Sequence, residues 1–410
     1  MNNLAAALYD QGAYADADAV FRNVDQAYRR LYSSNDYPEG HPDLANALNN
    51  GAATAVAMED LDRGERLYRQ ALKMNEGLYD AERFPKGHPA IARSFNNLGF
   101  VRLRQGAVDE AEKLFRTSLE IRERWFEPAQ YPRGHLELAN SWDNLGLALM
   151  TQGALDRAED CFRKSADMVR ALVGNSHSLA ASSLVHLAEV RRLQNRIEEA
   201  TKTADEAWRC YQLARFRAQA SGLERSGFAA QHSPGELVAV LHAKVGKAIE
   251  AWNAFEEDRG QGLLDDMVGK ATRPLSVQDQ TREESLIAAH GRAERSLLEA
   301  SGDPGSAKNV ALREACDDAL ADLLRFRQDL ETRYGPRVGQ RYSLAKIQSA
   351  LPPDSAIVGW IDIAGSTKTG RGEEHWAVVL RASGEPIWMA LPSLDAGGWN
   401  SRDDAVAEGG

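Results

Sequence analysis

Ile91–Trp125 reads IARSFNNLGFVRLRQGAVDEAEKLFRTSLEIRERW, and its spacing decides the fold. Ile91, Phe95, Leu98 and Arg102 recur at three- to four-residue steps, which places them on one face of a helix. Gln105-Gly106 ends that helix, since glycine readily supplies the left-handed turn that follows many helix ends. Val108, Ala111, Leu114, Phe115, Leu119 and Arg122 then mark a second helix. Two helices joined by so short a turn form an antiparallel hairpin. The small side chain of Ala111 lets them approach closely, and the Phe115 ring fills the space beyond.

The same unit recurs on both sides. Asn2-Asn3-Leu4, Asn49-Asn50-Gly51, Asn96-Asn97-Leu98 and Asp143-Asn144-Leu145 lie 47 residues apart, and Val185-His186-Leu187 follows 42 residues after the last. Thirteen residues beyond each triplet sits Ala17, Gly64, Ala111, Ala158 or Ala200. Four further on comes Phe21, Tyr68, Phe115 or Phe162, with Ala204 breaking the pattern in the fifth copy. A period of this length means stacked hairpins, none of which can bury its apolar face alone. In the second copy Gly51 and Gly64 replace larger residues and Met58-Glu59-Asp60 replaces the Gln-Gly turn, so that copy is expected to be the loosest.

The repeats resemble the tetratricopeptide repeat, in the longer variety of kinesin light chains, over about residues 1–211. The resemblance implies a mainly α protein whose first half is a right-handed α-solenoid of five hairpins. It further implies a concave groove for a protein or peptide ligand, lined by the first helix of each hairpin. The matching positions are Asn46, Asn49, Arg93, Asn96, Arg104, Asn140 and Asp143. Amide side chains can hold an extended peptide backbone through paired donors and acceptors. The alternative is that these amides tie neighbouring helices together.

His41, His88, His135 and His177 also fall in register, each in a Pro-Xaa-Gly-His loop or its equivalent. Neighbouring hairpins stand about 10 Å apart, too far for four imidazoles to share one ion, so no metal is expected. Each His is instead expected to help begin the next helix, with Pro42 or Pro89 at the first helical position.

Beyond the repeats, residues 212–272 are expected to continue the solenoid as one long helix on Leu237, Leu241, Val245, Ile249, Trp252 and Phe255. Residues 273–340 read as a helical hairpin with charged outer faces. Residues 341–410 switch to strand chemistry: Ala356–Ile363, Trp376–Leu380 and Ile387–Ala390, joined by Gly-, Ser- and Pro-rich turns, form an antiparallel meander. With so few strands, Val358, Trp360, Val378 and Trp388 are expected to stay partly uncovered.

This order is similar to the lead-in of the CHAT family, caspase-like cysteine peptidases commonly fused to tetratricopeptide repeats. The likeness rests on a helix carrying Arg-Gly-Gln-Gly-Leu-Leu at 259–264, a helical hairpin, then Leu-Pro-Pro-Asp-Ser-Ala-Ile-Val at 351–358. It covers about residues 341–395 of the peptidase domain, a truncated α/β segment. Family members use a His and a Cys carried beyond later strands. Here the last His is His375 and the last Cys is Cys316, and neither matches those positions. A thiolate nucleophile needs a base within reach, so the chain alone is expected to be inactive, with no catalytic residue. It reads as a fragment of a longer protein, with a regulatory stub as the alternative. The active-enzyme alternative places the catalytic pair in sequence missing from this chain.

Composition adds exclusions. The chain has 410 residues, 43% of them hydrophobic, and a net charge of −11. An acidic balance argues against a nucleic-acid partner. No apolar run reaches the roughly 18–20 residues of a membrane span, so no membrane is expected and a cytoplasmic location is. Three scattered cysteines form neither a disulfide framework nor a zinc site. The Gly365–Gly372 run lacks the Lys-Ser/Thr that a phosphate loop requires after its second Gly, and it joins strand to strand. No cofactor is expected.

Overall fold

The computed structural model describes residues 2–10, 12–33, 35–174, 178–217, 233–268, 275–298, 343–363 and 373–391, with helical residues interspersed between 311 and 333. Five helical hairpins come first: α1 (Asn2–Asp10) with α2 (Tyr14–Leu31), α3 (Pro42–Ala57) with α4 (Leu61–Leu78), and α5 (Pro89–Arg104) with α6 (Val108–Trp125). Then follow α7 (Leu136–Gln152) with α8 (Leu155–Val173), and α9 (Ser178–Leu193) with α10 (Ile197–Arg217). Each second helix packs on the next first helix. Among the described residues no helix is long and apolar enough to cross a membrane.

Helix starts follow one recipe. His41, His88 and His135 take extended backbone angles, and each Nδ1 accepts the amide N–H two residues on, at 3.2 Å. Those amides have no intrahelical partner, so the imidazole satisfies a donor that would otherwise go unmet. The three rings stack on Tyr32, Tyr79 and Phe126 at 3.7, 3.7 and 4.0 Å. Histidine and aromatic therefore cap and anchor each loop, and the imidazoles do not converge. His177 lies outside the described residues.

Inside the hairpins Ala17, Ala111, Ala158 and Ala200 are fully buried. The second copy is not loose at this contact: a Cβ on Gly64 would lie 2.5 Å from Val56 Cγ2, so the valine methyl already occupies the missing volume. Its turn is a real departure. Glu59 adopts φ +63°, where Gly12, Gly106 and Gly153 serve the first, third and fourth copies and Asn195 at φ +62° the fifth, and a side chain there costs roughly 1–2 kcal/mol.

The expected single long helix after residue 234 is two helices, α11 (Gly235–Lys244) and α12 (Ala248–Val268), packed as a sixth hairpin. Gly246 at φ +76° makes the turn. Gly246, Ala251 and Phe255 keep the spacing of Gly106, Ala111 and Phe115, and Ala251 is fully buried. Next comes α13 (Val277–Leu298). Among the described residues of 311–333, Arg333 reaches Asp279 near the start of α13 at 2.8 Å.

After α14 (Leu344–Ala350) the strands β1 (Ala356–Ile363), β2 (Glu374–Arg381) and β3 (Ile387–Leu391) form an antiparallel sheet in that order. It is not left standing alone. Ile361, Val378 and Leu380 are fully buried in one core with Ala188, Ala200, Ala204, Leu241, Trp252 and Phe255. Ala204, where four copies carry an aromatic, thus belongs to the core that receives the sixth hairpin and the sheet. Of the four residues expected to be partly uncovered, Val378 is instead fully buried, and Trp388 is half-buried with its indole N–H donating to the Ala248 carbonyl at 3.1 Å. Val358 and Trp360, on the other face, do remain exposed at 46% and 43%.

Candidate functional site on the inner face of the repeats

First helices lie on the inner side of the array, where α5 touches α7 and α7 touches α9. Seven residues were expected to line that side. Arg93 Nη2 donates to Asn46 Oδ1 at 2.6 Å, one repeat away. Both line a pocket of about 240 Å³ with Asn75, Tyr79, His88 and Glu137. Asn140 is half-buried in the next register position. Arg104 is exposed and pairs with Glu59 at 2.7 Å.

Asn49, Asn96 and Asp143 do something else. They form a ladder in which each reaches the following repeat: Asn97 Nδ2 to Asn49 Oδ1 at 3.5 Å, Asn144 Nδ2 to Asn96 Oδ1 at 2.8 Å, and Asp143 Oδ2 to His186 Nδ1 at 3.0 Å. Asn49 is buried and also donates to the Ala45 carbonyl. The helix-tying role accounts for these three contacts.

Phe100 was missed by sequence reading. It stands seven residues after Arg93 on the same helical face and is 40% exposed, with the Arg104 guanidinium 6.0 Å from its ring centre. The 47-residue period puts Ala53 and Leu147 at its equivalents. The signal was available: an aromatic on the face that carries Arg93 and Arg104 rather than on the packing face.

A second row binds the hairpins together. Asp18, Glu65, Glu112 and Glu159 recur every 47 residues, each mostly buried and each held by an arginine of the next hairpin. The contacts are Arg63 at 2.6 Å, Arg102 at 2.9 Å, Arg157 at 3.0 Å and Arg191 at 3.0 Å. Burial by itself would raise the pKa of all four. The guanidinium partners outweigh it and hold the carboxyls below their usual range, aided at Glu65, Glu112 and Glu159 by Gln105, Gln152 and Gln194. A depressed folded pKa contributes stability above the unfolded value, about 4, and that stability is lost as pH falls through the folded value. Thermal melts should therefore show a steep acid limb below about pH 4. The triple change Glu65→Gln, Glu112→Gln, Glu159→Gln should lower the neutral-pH midpoint and flatten that limb. An acid limb unchanged in the triple variant would remove these carboxylates from the account.

The sheet is tied to the array by buried charge. Arg192 on α9, its side chain 2% exposed, donates to Glu189 at 2.6 and 2.8 Å and to Glu374 on β2. Lys244 on α11 and the Trp376 indole N–H also reach Glu374, at 2.7 and 3.0 Å. Burial would raise the Glu374 pKa, but Lys244, Trp376 and Arg192 together lower it.

Cys161, Cys210 and Cys316 are buried and none of them forms a disulfide. Burial pushes the Cys161 and Cys210 thiols up to about 11, the opposite of thiolate activation. His375 Nδ1 lies 2.8 Å from Asp362 on the open face of the sheet. Among the described residues no three His, Cys, Asp or Glu side chains cluster as metal ligands.

Residues 1–43, 43–124 and 137–212 match models of the tetratricopeptide repeat, so the first half of the chain carries these repeats. No curated protein matches the sequence. Among solved structures, BtubC (BKLC) from P. vanneervenii is similar at 17% identity and TM-score 0.47, over 64% of this chain and 96% of its own. A putative kinesin light chain from Podosopora anserina with nearly identical repeats is similar at 18% identity and TM-score 0.41, over 51% and 92%. The Rap conjugation gene regulator of plasmid pLS20, solved with the Phr* peptide, is similar at 14% and 0.41, over 80% and 73%. None of these likenesses says what this chain binds.

Proposed function

We propose that the repeat array is a scaffold that binds a protein or peptide along its inner face. The observation that carries this reading is one stripe continued over three repeats: Asn46, Ala53 and Ala57, then Arg93, Phe100 and Arg104, then Asn140, Leu147 and Thr151. Polar groups border an apolar floor, and the pocket at Asn46 and Arg93 opens at one end of it. An extended peptide buries one side chain on the floor while amides and guanidiniums meet its backbone. Asn49, Asn96 and Asp143 keep the helices in register beneath it.

A random peptide display library selected against the full chain tests this. Phe100→Ala and Arg93→Ala should each weaken selected peptides about tenfold, the equivalent of about 1.4 kcal/mol. Lys113→Ala and Glu120→Ala, exposed on the second helix α6, should leave binding unchanged. A library that yields no binder, or binders indifferent to Phe100 and Arg93, contradicts the groove.

The finer reading makes this scaffold the sensing and regulatory part of a cytoplasmic protein whose strand-rich end begins a CHAT-like domain. It divides the chain into repeats (1–211), a solenoid extension (212–272), a helical hairpin (273–340) and that incomplete domain (341–410). The Leu351–Val358 run and the docking of its strand on the sixth hairpin support it. In the enzyme alternative, the catalytic His and Cys come from sequence outside this chain.

A further inference from the structure

The three rungs of the inner ladder are equivalent in position but not in chemistry. Two join amide to amide. The third joins Asp143 of α7 to His186 of α9, with Nδ1 and Oδ2 at 3.0 Å. Asp143 Oδ1 and His186 Nδ1 are both buried without an aligned hydrogen bond, so carboxylate and imidazole compensate each other as charges at close range.

We propose that the joint between the fourth and fifth hairpins is a proton-dependent clasp, closed when His186 is charged and weakened when it is neutral. The surroundings of the ring leave that role to one pair. From α8 it meets Phe162, with ring centres 5.2 Å apart. Glu159 of α8 is engaged by Arg191 and by Arg196. On α9 itself, Glu189 lies one turn on and is held by Arg192, which also takes Glu374. Thr203 of α10 accepts from Arg191. Asp205 of α10 is 2.7 Å from His242. The negative groups that act on His186 are therefore Asp143 directly and Glu189 at longer range.

Burial opposes the charged ring, but Asp143 and Glu189 outweigh it and raise the pKa above 6.5. A raised folded pKa gives stability that is complete below the unfolded value and withdrawn as pH rises through the folded one. This is opposite in sign to the carboxylate row, which fails in acid. It is also opposite to His88, whose pKa burial lowers first and nearby Arg93 lowers further. Hairpins α9–α10 and α11–α12, with the docked sheet, lie beyond the clasp. Proton occupancy at one ring thus sets how firmly that unit is held to the groove-bearing repeats, whether or not a peptide is bound.

The test uses the full chain with labelled histidine, the His186 signal being assigned by its loss in His186→Asn. His186 should titrate above pH 6.5. Amide protection of α9, corrected for intrinsic exchange, should fall up to tenfold for each unit by which the pKa is raised. The double variant Asp143→Asn, His186→Asn turns the rung into an amide pair like the other two, and its protection should be level across the same range. A His186 titration at or below pH 6.5 overturns the clasp, as does a double variant that keeps the wild-type profile. If the double variant does not fold, the wild-type titration decides alone.

Discussion

Arg192→Ala should destabilise the sheet-bearing unit by about 3 kcal/mol, because removing one partner of a buried ionic cluster strands the others. Glu189 would lose its arginine outright. Glu374 would keep Lys244 and Trp376, which holds the effect toward the lower end of the range for broken buried pairs. The change should show as an early thermal transition that includes Trp376 fluorescence, ahead of the loss of helical circular dichroism from the first four hairpins. Repeat arrays unfold by neighbouring units, so the transitions can separate. A variant that melts as the wild type does would mean the sheet is held by apolar contact alone.

Gly359→Val is the second large effect. Gly359 is the point where β1 crosses the Phe255 ring. A Cβ there would collide with that ring and lie 3.2 Å from Val378. The backbone has to lift, at roughly 1–3 kcal/mol or more for overpacking a filled contact. The expected result is a sheet displaced from α11 and α12, read by Trp388 fluorescence and by protease nicking within residues 343–391. Val358→Ala, on the exposed face of the same strand, should stay within about 0.5 kcal/mol of wild type. Equal effects from the two changes would place the docked face on the wrong side of β1.

The repeats were legible because their signal is local and periodic. The Asn-Asn-Leu triplets, the small residue thirteen on and the aromatic four further fix helix, turn and contact without tertiary information. The sixth hairpin escaped because α11 is nearly all apolar, so Leu237 to Phe255 keeps helical spacing straight across the turn. Gly246, five residues before Ala251 and nine before Phe255, was the mark that separates the two helices. Docking of the sheet was not legible. Alternation showed that β1 has two faces, but Ala188, Ala200 and Ala204, the surface one face meets, lie more than 150 residues earlier. The inner face was half legible. Period alone places Asn46, Arg93 and Arg104 beside Asn49, Asn96 and Asp143, and only side-chain geometry separates the residues of the proposed groove from those that stitch the helices.

The most direct measurement of the central claim is photo-crosslinking with a library-selected peptide that carries a photoreactive aromatic in place of its main apolar residue. Cross-links on Ala53, Phe100 and Leu147, lost when unlabelled peptide competes, are the predicted result. Cross-links on α4, α6 or α8, or on Val358 and Trp360 of the open sheet face, would contradict it.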